Sequence, residues 1–233
     1  MDISLHYYKT GCGPSLILLH GNGESSEYFV HQIDMFAQSF TVYAIDTRGH
    51  GQSPLGTAPF SLYQFADDLL DFMDEQEIDR ADILGFSDGG NIALLFALEH
   101  PERVRRLILN SANLYPEGLT DSLMDAILPR YYEIRESENP AQQFEAALLA
   151  LMINEPHIDP ADLNRLTMPT LVIAGDDDVI RPEHTQLIAE ALPNAWLTIL
   201  PGDHEIAYKD PDAFNQEVER FLYETANAVF LEE

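Results

Sequence analysis

Short apolar runs alternate along the chain with longer segments in which apolar residues recur every three or four positions. Runs of five to seven apolar residues are typical of buried strands, and the longer spacing is typical of amphipathic helices. The predicted strands are residues 3–8, 15–19, 40–45, 81–85, 104–110, 170–174 and 196–200. The predicted helices are residues 27–38, 61–75, 89–98, 121–135, 142–153, 182–192 and 211–221 or beyond.

This strand–helix alternation predicts an α/β fold, with a mostly parallel sheet of about seven strands flanked by helices on both faces. The alternation breaks over residues 115–168, where helical stretches are punctuated by five prolines and no strand pattern occurs. We therefore expect a core of residues 1–114 and 169–233, with residues 115–168 inserted into it as a helical cap.

The composition fits one globular domain and restricts its partners. Hydrophobic residues make up 45% of the 233, which is too many for a disordered chain. Lysine and arginine number 12 against 40 acidic residues, a formal net charge of −28. This balance argues against binding of nucleic acid or of an anionic membrane surface.

Few features suggest a cofactor, a metal or export. Cys12 is the single cysteine, so no disulfide within the chain and no thiolate zinc cluster is possible. The first residues lack the basic and apolar regions of a signal peptide, and the longest apolar runs are too short to cross a bilayer. We expect a cytoplasmic protein without metal or organic cofactor.

The segment Gly85-Phe86-Ser87-Asp88-Gly89 lies between a predicted strand and a predicted helix. Glycines at both ends allow a sharp turn, which would lift the Ser87 hydroxyl above the sheet at the positive end of the following helix. A structural glycine-rich turn is the alternative. The strand–turn–helix context favours a nucleophile.

Four further segments fall in the order typical of one superfamily. They are His20-Gly21-Asn22-Gly23, the run Asp46-Thr47-Arg48-Gly49-His50-Gly51-Gln52-Ser53, Gly175-Asp176-Asp177-Asp178, and Pro201-Gly202-Asp203-His204. Together with the serine motif they make the chain resemble the alpha/beta-hydrolase superfamily, in its serine esterase-like branch, over almost the whole length. The resemblance implies the alpha/beta-hydrolase fold, with the cap inserted after the sixth strand of the family's sheet.

The resemblance also implies a catalytic triad and an oxyanion hole. Ser87 would be the nucleophile, His204 the general base and Asp178 the acid that orients it, with Asp176 as second choice for the acid. The backbone N–H groups of Asn22 and Asp88 would hold the oxyanion.

Several side chains near this chemistry allow two interpretations. Phe86 and Asp88 could bind substrate, but Phe86 could equally pack and Asp88 could complement the helix N-terminus. Asp203 stands where the family often has glycine, and could either raise the pKa of His204 or face solvent. Of the other histidines, His20 and His50 are expected to hold loops. The remaining five, His6, His31, His100, His157 and His184, are expected at surfaces or helix ends.

The cap is expected to form much of the pocket roof. Its apolar side chains could contact substrate or pack on the sheet, and these are Leu123, Ile127, Leu128, Leu148, Leu151 and Met152.

The resulting prediction is a serine hydrolase that cleaves small or medium carboxylic esters or thioesters through an acyl-enzyme. A small-molecule ester is its expected partner, and neutral or cationic esters should be preferred over multiply anionic ones. The same triad also serves enzymes that hydrolyse carbon–carbon bonds, lyases and cofactor-free perhydrolases, so these remain alternatives. A further alternative is that the protein is a non-catalytic, ligand-binding member of the fold. The sequence predicts no particular oligomeric state.

Overall fold

The computed structural model describes residues 2–226 and contains a seven-stranded sheet. The strands are β1 (Tyr7–Gly11), β2 (Ser15–Leu19), β3 (Thr41–Ile45), β4 (Ala81–Phe86), β5 (Val104–Asn110), β6 (Thr170–Asp177) and β7 (Ala195–Asp203). Their order across the sheet is β1-β3-β2-β4-β5-β6-β7. Only β1 runs antiparallel to its neighbour; the other pairs are parallel.

Eight α-helices connect and cover the strands within the described residues. They are α1 (Val30–Phe36), α2 (Leu62–Glu75), α3 (Asp88–Glu99), α4 (Asp121–Ile134), α5 (Pro140–Asn154), α6 (Pro182–Ala191), α7 (Ile206–Lys209) and α8 (Pro211–Glu224). The predicted α/β class and mostly parallel sheet of about seven strands are confirmed. The predicted core ends at residue 233, and Met1 and residues 227–233 lie outside the described part of the chain.

Alternation of side chains along the strands fills both faces of the sheet. Ile17 and Leu19 of β2 pack in one cluster with apolar residues of α2, α3 and α6. Leu16 and Leu18 pack in the other cluster with residues of α1 and α8. Successive side chains of a strand point to opposite faces, so continuous apolar runs are what a sheet covered on both faces requires.

The first strand begins later than the sequence indicates. Residues 3–8 were expected to form it, but β1 spans Tyr7–Gly11. The chain before it is held by side chains instead of a strand ladder. Asp2 accepts hydrogen bonds from Arg48 and from the Thr57 N–H, and the His6 N–H donates to Oγ of Ser53.

Residues 115–168 contain no strand and leave the sheet between β5 and β6. Two helices, α4 and α5, pack against each other here, and Arg130 of α4 forms an ion pair of 2.7 Å with Glu145 of α5. This segment follows the carboxyl end of β5, so it lies at the edge of the sheet where parallel strands place their functional loops.

Candidate active site

Ser87 occupies the sharp turn between β4 and α3. Its backbone has φ 53° and ψ −119°, a conformation that residues other than glycine rarely adopt and that recurs at functional sites. The flanking glycines make the turn possible, because a Cβ on Gly85 would collide with the backbone of Gly89, and one on Gly89 would collide with the backbone of Leu19.

The three residues predicted as a triad are in contact. Nε2 of His204 lies 3.0 Å from Oγ of Ser87, and Nδ1 lies 2.6 Å from Oδ1 of Asp178. The Asp178 side chain is 3% exposed and the His204 side chain 20%. Both ring nitrogens of His204 are therefore engaged, one by the hydroxyl and one by the carboxylate.

Asp178 is fixed by more than the histidine. Its Oδ2 accepts a hydrogen bond of 2.6 Å from the Ser111 hydroxyl, and Oδ1 also accepts one from the Ile180 N–H. Burial disfavours the charge, but the bonds from His204 and Ser111 outweigh it, so the pKa of Asp178 lies below its usual value. The carboxylate therefore stays charged beside the imidazole.

The alternative acid lies elsewhere. Asp176 is exposed, and its Oδ1 accepts a hydrogen bond from the Gly202 N–H. It holds the end of β7 and makes no contact with His204.

The glycine loop after β2 carries Asn22, one of the two predicted oxyanion donors. The N–H of Gly21 donates to Oε2 of Glu24, and the N–H of Gly23 donates to Nε2 of His50, each at 3.2 Å. Between them, the N–H of Asn22 has no acceptor among residues 2–226. The N–H of Asp88 is likewise unengaged there, because the first N–H groups of a helix have no intrahelical partner. The two N–H groups predicted to hold the oxyanion are thus both available.

His20 and His50 hold these loops in place. Nδ1 of His20 bonds to the Gly21 carbonyl at 2.8 Å, and its Nε2 accepts from the Thr47 N–H at 3.1 Å. Burial lowers the pKa of His20 to about 4, so the ring is neutral at pH 7. Neither histidine contacts Ser87.

Arg48 anchors the turn that carries His50. Its guanidinium is fully buried and donates twice to Asp68 of α2, with both distances at 2.7 Å. A paired fork of this kind fixes the turn geometrically, because both carboxylate oxygens must stay in the guanidinium plane.

Asp88 has an interaction that the sequence did not indicate. Its carboxylate accepts a hydrogen bond of 2.8 Å from Nδ2 of Asn22. The residue is 7% exposed, and burial raises its pKa to about 6. Asp88 opens α3 and also lines the cavity over Ser87 and His204, so both of its expected roles stay predictions.

A cavity of about 370 Å³ lies over Ser87 and His204. Its apolar wall includes Phe86 from the sheet side and, from the cap side, Leu119, Leu123 and Met152. The ring centroids of Phe86 and His204 lie 4.8 Å apart, and Phe86 also stacks on Tyr28. Of the six cap residues considered, Leu123 and Met152 reach the cavity, whereas Leu151 belongs to the main core cluster.

The charged part of the cavity lining is acidic. It includes Glu24, Asp88, Asp177, Asp203 and Glu205, and no lysine or arginine of the described chain lines it. Burial raises the pKa of Glu24 to about 7. Asp203 is engaged by Lys209 at 2.6 Å and by the Glu205 N–H, whereas the His204 ring nitrogens bond to Asp178 and Ser87.

Ser111 and Glu24 were not found from the sequence. Ser111 directly follows β5, and carboxyl ends of parallel strands are where such sheets place functional residues, so its position was the available signal. Glu24 lies within the glycine loop and could have been noticed for the same reason. His184, expected near a surface, is 4% exposed and accepts a hydrogen bond from the Leu114 N–H.

Two other kinds of site are absent from the part of the chain that the structure describes. No helix there is long and apolar enough to cross a membrane. No group of three or more histidine, cysteine or acidic side chains there is arranged to hold a metal ion.

Comparison with known proteins identifies the family. Residues 14–138 match the family described as the alpha/beta hydrolase fold, so the chain belongs to that family. It is 28% identical to a pimeloyl-(acyl-carrier protein) methyl ester esterase of Nitrosomonas europaea, over 85% of this chain and 91% of that protein. It is 27% identical to 3-oxoadipate enol-lactonase 2 of Acinetobacter baylyi, over 95% of this chain and 94% of that protein.

Solved structures agree with this assignment. The enol-lactonase from Burkholderia xenovorans LB400 superposes with a TM-score of 0.78 at 25% identity, covering 95% of this chain and 97% of that one. The relatives bear the names of hydrolases, and the chain is accordingly a hydrolase of the alpha/beta fold.

Proposed function

We propose that the protein is a serine hydrolase that cleaves small or medium carboxylic esters or thioesters, cyclic esters included, through an acyl-enzyme. One observation carries the proposal. Oγ of Ser87, the His204 ring and the Asp178 carboxylate form one hydrogen-bonded chain, with distances of 3.0 and 2.6 Å, at the floor of a cavity.

The first half of the reaction forms the acyl-enzyme. Nε2 of His204 takes the Ser87 proton as Oγ attacks the acyl carbonyl, and Asp178 stabilises the imidazolium that results. The N–H groups of Asn22 and Asp88 donate to the developing oxyanion. His204 then returns the proton to the leaving oxygen or sulfur as the acyl bond breaks.

The second half releases the acid. Water enters the cavity, His204 takes its proton, and the hydroxide equivalent attacks the acyl carbon. The Ser87 oxygen leaves and recovers its proton from His204, which restores the free enzyme.

The cavity supports the proposed substrate size and polarity. A volume of about 370 Å³ lies at the lower end of the range for small-molecule pockets. Its wall combines apolar side chains with carboxylates and has no lysine or arginine from residues 2–226, which favours substrates that are neutral or positively charged. Some of the relatives, a methyl ester esterase and enol-lactonases, have names that also favour acyl–oxygen cleavage.

The test is a substrate panel with purified wild type and Ser87→Ala. The panel contains nitrophenyl esters from acetate to dodecanoate, a thioester, a lactone and a vinylogous diketone that reports carbon–carbon hydrolysis. We expect turnover of the short and medium acyl substrates by wild type and none by Ser87→Ala. Turnover of the diketone alone would contradict the proposal and favour carbon–carbon hydrolysis.

A further inference from the structure

The Asn22 side chain links three parts of the site. Its Nδ2 donates to Oδ2 of Asp88 at 2.8 Å and to the carbonyl oxygen of Leu148 at 3.0 Å. Asp88 belongs to the nucleophile turn and Leu148 to α5 of the cap, and neither is near Asn22 in sequence. One amide group thus joins the glycine loop, the first turn of α3 and the cap.

This amide belongs to Asn22, whose backbone N–H is one of the two proposed oxyanion donors and which lines the same cavity as Ser87. The N–H groups on either side, of Gly21 and Gly23, are held by Glu24 and His50. The loop is therefore fixed at its flanks, and the orientation of the central peptide depends on where the Asn22 side chain is held. A displaced donor would stabilise the transition state less and slow the reaction, because an oxyanion donor acts only over a narrow range of distances.

Asp88 is placed to hold that side chain as a charged group. Its second oxygen, Oδ1, lies 3.5 Å from Nδ2 of Asn91, which itself bonds to Asn113 at 2.9 Å. Burial raises the pKa of Asp88 to about 6, and Glu155 of the cap side adds to this, while the bond from Asn22 opposes it. Hydrogen bonds to an ionised acceptor are stronger than neutral ones, so the Asn22 amide is firmly held.

We infer that Asp88 is a positioning residue: its carboxylate holds the Asn22 side chain so that the Asn22 N–H meets the oxyanion, and joins this loop to the cap. The inference rests on the proposed function. The alternative is that Asp88 only stabilises the start of α3. Its removal would then affect folding and leave the chemical step unchanged.

The variants separate the side chains from the backbone donors. Asp88→Ala and Asn22→Ala keep both N–H groups and remove the bond between the two side chains. Asn22→Ala also removes the bond to the Leu148 carbonyl, and Asp88→Ala the 3.5 Å contact with Asn91. Asp88→Asn keeps an oxygen that accepts from Asn22. Asp212→Ala is the matched control, because Asp212 is an exposed acid in the first turn of α8, away from the cavity.

Steady-state hydrolysis of nitrophenyl butyrate gives kcat and KM for wild type and for each variant. We expect Asp88→Ala and Asn22→Ala each to lower kcat by about 10- to 100-fold, with KM changed by less than about 3-fold. The double variant should be no slower than the slower single variant, because both remove the same link. Asp88→Asn should stay within about 3-fold of wild type, and Asp212→Ala should match wild type.

Three results would overturn the inference: kcat within 2-fold of wild type in both alanine variants, losses that multiply in the double variant, or Asp88→Asn as slow as Asp88→Ala. If Asp88→Ala does not fold, Asn22→Ala and Asp88→Asn decide the question. Failure of the proposed function is distinguishable, since wild type itself would then hydrolyse no ester. An active wild type with unaffected variants rejects the role of Asp88 alone.

Discussion

The Ser111 hydroxyl donates a 2.6 Å hydrogen bond to Oδ2 of Asp178, while His204 occupies the other oxygen of the same carboxylate. Ser111 does so from a left-handed backbone with φ 56°, directly after β5, and is 1% exposed. The hydroxyl also accepts from Nδ2 of Asn110, so its own proton is directed to Asp178. The backbone of Ser111 places its hydroxyl, and the hydrogen bonds from Ser111 and His204 orient the Asp178 carboxylate.

Ser111→Ala should lower kcat/KM for ester hydrolysis by about 10-fold, because a hydrogen bond to a charged acceptor is worth roughly 1.5–3 kcal/mol and only part of it acts on the reaction. The measurement is steady-state hydrolysis of nitrophenyl butyrate by the folded variant. Wild-type kcat/KM in Ser111→Ala would show that His204 and the Ile180 N–H are enough to orient Asp178.

Ser111→Gly separates the hydroxyl from the backbone. Glycine adopts a positive φ without strain, so this variant should unfold at higher urea concentration than Ser111→Ala, by about 1 kcal/mol in free energy. Its kcat/KM should fall as far as that of Ser111→Ala, since both lack the hydroxyl.

The fold was predictable from the sequence to the extent that it depends on local patterns. The apolar runs of β2 and β5 are buried on both faces of the sheet and match the predicted bounds. The start of β1 was missed because Asp2 and His6 bond to residues about 50 positions away, which periodicity does not report. Contacts of that kind are set by the tertiary fold.

The same distinction applies to the site. Ser87, Asp178 and His204 stand in motifs that follow strands, and the structure brings them into contact. The partners of Asp88 and Ser111 lie 66 and 67 residues away in the chain, so their roles needed the sheet order and the path of the loops.

His184 should make stability depend on pH. It is buried as a neutral ring that accepts from the Leu114 N–H, and burial lowers its pKa to about 4. Between this value and the ordinary value of about 6.5, the unfolded chain binds more protons than the folded one, so the contribution to stability is lost as pH falls through that window.

The measurement compares urea unfolding of wild type and His184→Gln at pH 7 and pH 5. The free energy of unfolding of wild type should decrease by about 2 kcal/mol relative to the variant over this range. His157→Gln is the control for replacing an exposed histidine by glutamine. Equal pH dependence in wild type and His184→Gln would show that His184 does not titrate in this way.

The carboxylates of the cavity should disfavour anionic substrates. Nitrophenyl hemisuccinate should react with a kcat/KM about 10-fold below that of nitrophenyl butyrate at low salt, and added salt should narrow the gap. Asp177→Asn removes one exposed charge from the cavity lining. This variant should reduce the ratio of the two kcat/KM values by about 2-fold. Asp67→Asn, an exposed charge on α2 outside the lining, should have no such effect. Faster hydrolysis of the anionic ester would contradict this account of the field.

We propose Ser87 as a nucleophile that His204 and Asp178 activate. A fluorophosphonate reacts with an activated serine and leaves a stable phosphonyl group, so the most direct measurement is labelling followed by intact mass spectrometry and peptide mapping. We expect one group per chain on Ser87, none on Ser87→Ala, and labelling of His204→Ala slower by about 10³-fold or more. Wild type that takes no label, or Ser87→Ala that labels equally, would contradict the account.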